Sequence, residues 1–90
     1  MSALTPADIQ PGVVVTNGKG RYRLVTRTDK LGTWTDVHYQ PAYANAKGQM
    51  RRSPQIGQVG LASFLTWSAR LATPGERADV IRTLNPKGIE

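Results

Sequence analysis

The chain has 90 residues, no cysteine and a net charge of +6. That length predicts one domain, residues 1–90, burying about 60–65% of its unfolded surface. The lack of cysteine excludes disulfide staples, thiolate metal sites and thiol nucleophiles, and it favours a cytoplasmic home, since secreted domains this small usually need disulfides.

In chain order, Met-Ser-Ala-Leu-Thr-Pro has neither a positive start nor an apolar run, so no signal peptide is expected. Thr5 and Pro6 predict a single helical turn ended by Pro11-Gly12. Val13 to Thr16 is β-branched throughout and reads as a short buried strand. Asn17-Gly18 is a strong hairpin signal, and Lys19-Gly20 after it lengthens the loop or forms a bulge.

The stretch from Arg21 to Gln40 organises the rest. Arg21–Arg27 and Trp34–Gln40 both alternate with the two-residue period of a strand, and Asp29 and Gly32 mark the turn between them. In the first strand Tyr22, Leu24 and Thr26 point one way and Arg21, Arg23, Val25 and Arg27 the other. In the second, Thr35, Val37 and Tyr39 oppose Trp34, Asp36 and His38. The expectation is a central hairpin with an apolar inner face and a cationic outer one. Pro41 is expected to stop the third strand. Pro41–Lys47 reads as a wide loop or a kinked continuation, residues 48–53 as a fourth strand closed by Pro54, and Gln55–Gly60 as a tight connection.

Leu61, Phe64, Leu65, Ser68, Leu71 and Ala72 fall on one helical stripe, with Trp67 at its border. Thr73-Pro74-Gly75-Glu76 then combines an N-cap, a proline at the first helical position and a capping-box glutamate. Ala78, Ile81 and Leu84 give the second helix an apolar side, and Asn85-Pro86 ends it. The expected fold is α+β. A small SH3-like or OB-like antiparallel sheet or partial barrel of three to five strands (13–53) carries two short C-terminal helices (61–84) across its apolar face. The stretch Asp8–Val15 resembles the opening strand of SH3-like barrels, a likeness that brings no functional residue with it.

Charge is distributed unevenly. Eight cations stand against Asp29 and Asp36 between residues 13 and 52, whereas the remainder is balanced, which points to an anionic partner on the sheet portion. Arg21, Arg23 and Arg27 on one face would be spaced by about 6.6–6.8 Å per two residues, comparable to successive phosphates. Trp34 and His38 would stack on bases beside them, and Lys19, Lys30, Arg51 and Arg52 would extend the patch. The competing structural reading pairs Arg21 or Arg23 with Asp36 and packs Trp34 over arginine stems.

Enzymatic readings lack parts. With one histidine and six carboxylates, a Ser53–His38–Asp36 arrangement can be drawn, but nothing marks a nucleophile turn. Gly18-Lys19-Gly20 opens a strand rather than a phosphate-cradling helix. One histidine and a nearby aspartate are too few for a metal site, so no cofactor is expected. A helix-turn-helix at 61–84 is disfavoured because Arg77 and Arg82 are balanced by Glu76 and Asp79. The expectation is therefore a small, basic, non-enzymatic nucleic-acid-binding accessory protein, monomeric or homodimeric, with no membrane attachment. The alternative is a protein-interaction module, or a phage or mobile-element accessory protein acting on a host protein.

Overall fold

A computed structural model describes residues 4–84. The chain opens with a 3-10 turn over Pro6–Asp8, where the Thr5 backbone N–H donates to the Asp8 carboxylate at 2.9 Å. There follow β1 (Val14–Thr16), β2 (Arg21–Leu31), β3 (Trp34–Ala44), β4 (Met50–Arg52) and β5 (Gly57–Gly60). The chain continues through α1 (Leu61–Trp67), β6 (Arg70–Leu71) and α2 (Pro74–Leu84). Together the strands make one open antiparallel sheet in the order β4-β3-β2-β1-β6, with β5 paired to the same edge of β3 as β4. The α+β class, the antiparallel sheet and the two helices match expectation, but the strands among the described residues number six rather than three to five. Among the described residues no helix is long and apolar enough to cross a membrane.

The central hairpin is longer than its alternation suggests. β2 runs to Leu31, and only Gly32 and Thr33 turn the chain, Gly32 adopting φ +66° as tight hairpin turns require. Pro41 does not stop β3, which continues to Ala44. Its carbonyl accepts the Ser53 N–H at 3.1 Å on the outer edge. The N–H that proline lacks would point to that same edge, in the gap where β5 pairing ends at Tyr39 and β4 pairing begins at Ala42. No ladder bond to β2 is lost.

The two helices do not share a face. Phe64 of α1 packs with Ile9, Val15, Val25, Val37 and Tyr39 in one core cluster. Val80 and Leu84 of α2 pack with Val14, Tyr22, Leu24 and Ala42 in a second cluster on the other face. Strand β6 makes this possible. The expected helix over 61–72 ends at Ser68, whose buried hydroxyl donates to the Phe64 carbonyl at 2.8 Å. Arg70 and Leu71 then pair with Thr16 and Val15, covering the free edge of β1 while carrying the chain from one face to the other. Because the helices lie on opposite faces, they form no helix-turn-helix.

The start of α2 follows its sequence signals. Thr73 Oγ1 accepts the Glu76 N–H at 3.2 Å, and the Thr73 N–H donates to Glu76 Oε1 at 2.8 Å. Its buried residues are Val80 and Leu84; Ile81 is half-buried and Ala78 exposed, so the buried stripe is rotated from the expected one. The expected stop at Asn85-Pro86 lies outside the described residues.

Candidate functional site

The expected row of Arg21, Arg23 and Arg27 on one outer face does not form. Val25 pairs with Tyr39 and Arg27 with His38, so Thr26 is an extra residue and the strand bulges there. Alternation is preserved up to Val25 and reversed beyond it, which sends Arg27 to the face opposite Arg21 and Arg23. The register also separates the aromatics. Tyr39 lies on the side of Arg23 and Val25, so Trp34 and His38 lie on the other side, with Arg27.

On that second side Arg27 is already paired. Its Nη2 lies 2.9 Å from Asp29 Oδ2, and the same oxygen is 3.0 Å from His38 Nε2. Asp36 is held by the Trp34 indole N–H and, at 3.1 Å, by Gln58 Nε2. His38 therefore faces Asp29, and Asp36 is engaged elsewhere, so the arrangement drawn with Ser53 is not assembled. Arg52 also leaves the patch. It lies on the α2 side and donates from Nη2 to the Leu84 carbonyl at 2.6 Å, at the C-terminal end of that helix where a cation is favoured. Lys30 is exposed beside Thr35 near Pro6 and Leu61, at the far end of α1 from Arg23. Lys19 is exposed in the β1–β2 turn, next to the end of β2 that carries Arg21.

Three of the nine expected residues do come together. Arg21 pairs with Tyr43 on β3, and Tyr43 pairs with Arg51 on β4, so the three side chains share one face in a row across the sheet. Arg23, two residues along β2, joins that face beside the C-terminal end of α1. Its guanidinium carbon lies 4.1 Å from the Tyr39 ring centroid, 3.8 Å from Trp67 and 5.6 Å from Phe64. The rings brace one another, with Tyr39 and Phe64 centroids 5.7 Å apart and Phe64 and Trp67 6.5 Å apart. Burial lowers the Arg23 pKa from the ordinary arginine value, the nearby Tyr39 acting more weakly in the opposite sense.

Arg23 forms part of the wall of a cleft of about 230 Å³, together with Arg21, Trp67, Gln55, Ile56 and Ser53 among others. No carboxylate among the described residues lines this cleft. Among the described residues every buried side-chain nitrogen or oxygen has a partner. The Arg23 nitrogens, with no protein acceptor among those residues, reach solvent through the cleft. A half-desolvated cation without a counter-ion gains more from an incoming anion than a fully hydrated one does.

Sequence reading missed Tyr43, Trp67, Gln55 and Ile56 as parts of this site. Tyr43 lies past Pro41 in a stretch whose sequence reads either as a wide loop or as a kinked continuation, and only the strand that runs on to Ala44 fixes its face. Gln55 and Ile56 lie on the β4–β5 loop, which alternation does not orient. No protein-family model, curated protein or solved structure matches the chain.

Proposed function

We propose that the protein binds nucleic acid through the Arg21–Tyr43–Arg51 row and the adjoining Arg23 cleft. The observation that carries this reading is the Arg23 guanidinium, held against Tyr39 and Trp67 in a cleft where no carboxylate among the described residues meets it. Arginines beside aromatic rings suit phosphates and bases together, since the guanidinium fork takes phosphate oxygens while rings stack on bases. The binding role is non-enzymatic, and Arg27, Lys30, Trp34, His38 and Arg52 lie outside it. Engaging about three phosphates gives modest affinity and a log–log salt slope of about −2 to −3.

Fluorescence anisotropy with a labelled mixed-sequence oligonucleotide at several salt concentrations tests the proposal. The Arg21→Ala/Arg51→Ala double variant should bind weakly with a flattened slope, while Arg27→Ala should match the parent. A parent protein that fails to bind at low salt, or a double variant that binds equally, ends this reading.

A protein partner is the second reading, favoured by a different observation. Leu31 and Trp34 form a cross-strand pair at the hairpin tip, 60% and 56% exposed. An exposed apolar pair at a hairpin tip is a contact surface of the kind protein partners use.

A further inference from the structure

Resting on the nucleic-acid reading, we propose that the ligand is single-stranded and that one unstacked nucleobase enters the cleft between Ile56 and Trp67. Ile56 is the most exposed large apolar residue among those described, 76% accessible on the β4–β5 loop. Burying an isoleucine is the usual outcome of folding; here the exposed side chain lines the same cleft as the half-buried Trp67 ring. One cleft thus holds an exposed apolar side chain and a cation braced by aromatics, the two needs of a base next to its phosphate.

The size of the cleft points the same way. About 230 Å³ lies below the roughly 300–1,000 Å³ common for free small molecules, so the space suits one protruding part of a longer ligand. A duplex keeps its bases stacked and paired and offers this cleft only backbone. A single strand can turn one base inward while its phosphates follow Arg21, Tyr43 and Arg51 across the sheet. The polar side chains of Gln55 and Ser53 line the same cleft and can bond to a base edge.

The test uses the full chain with Trp34→Phe, so that Trp67 supplies the indole signal. Three probes are titrated at low salt: a mixed-sequence 12-nucleotide single strand, the same sequence as a blunt duplex, and an abasic strand of equal length. The expected result is Trp67 quenching by the single strand, with at least about tenfold tighter binding than either other probe. Ile56→Ala, a change at an exposed position, should weaken the single-strand complex by about fivefold and leave abasic binding unchanged. Equal affinity for all three probes, or an Ile56→Ala variant indistinguishable from its parent, overturns the inserted base while leaving backbone binding in place. Absence of binding to every probe overturns the underlying nucleic-acid reading as well.

Discussion

Arg23 and Trp67 meet face to ion, the guanidinium carbon 3.8 Å from the indole centroid, and this contact ties the start of β2, of which Arg23 is the third residue, to the last residue of α1. The arrangement makes Trp67 a structural residue as well as a cleft wall. Trp67→Ala removes a half-buried ring that packs against the first core cluster and strips Arg23 of one of its stacking partners. The expected loss is about 2–3 kcal/mol, below that of a fully buried tryptophan, read from the urea midpoint at constant m-value.

Two glycines in β5 predict contrasting costs. A methyl group at Gly57 would sit 2.0 Å from the Tyr39 ring, which is buried and braced by Phe64. At Gly60 the nearest atom is a Trp34 ring carbon at 2.5 Å, but that ring belongs to an exposed side chain that can swing away. Gly57→Ala should therefore destabilise by more than about 2 kcal/mol and Gly60→Ala by about 1 kcal/mol or less. Thermal unfolding of the two variants side by side checks the order.

A third expectation concerns pH. Arg70 bonds the Glu76 carboxylate at 2.8 Å, and the buried Tyr22 hydroxyl donates to it at 2.9 Å. The Arg70 contact is the main reason the Glu76 pKa falls to about 2 from its ordinary 4.5. Because the folded value is the lower one, this contribution to stability is complete above about 4.5 and is lost as pH falls towards 2. Tyr22 works in the opposite sense. Burial above all raises its pKa from 10.0, so its contribution is present below 10 and fades as pH rises through the raised value. Urea titrations from pH 2 to 7 should show a steeper fall for the parent than for Glu76→Gln. A second urea series above about pH 10 should show a flatter alkaline fall for Tyr22→Phe than for the parent.

How far the sequence reveals this molecule depends on which forces act locally. The Gly18 and Gly32 turns, the alternation of β2 and β3, and the Thr73–Glu76 cap rest on near-neighbour chemistry and are readable. β6 is not, because Leu71 and Ala72 continue a helical apolar stripe, and Arg70 and Leu71 become a strand only by pairing with Thr16 and Val15. The bulge at Thr26 is likewise invisible in the alternation, since it depends on how β2 aligns with β3. That single extra residue decides which arginines share a surface. Arg21, Arg23 and Arg51 were legible as cations on a sheet; their grouping with Tyr43 and Trp67 follows only from register and from where α1 ends.

The most direct test of the central claim is amide and indole chemical-shift mapping of the 15N-labelled protein as a short single-stranded oligonucleotide is added. The account predicts the largest shifts at Arg21, Arg23, Tyr43, Arg51 and the Trp67 indole, with Arg27, Asp29 and the Trp34 indole little changed. Shifts centred on the Leu31–Trp34 tip and the Arg27–Asp29–His38 cluster, with the Arg23 cleft silent, would contradict it.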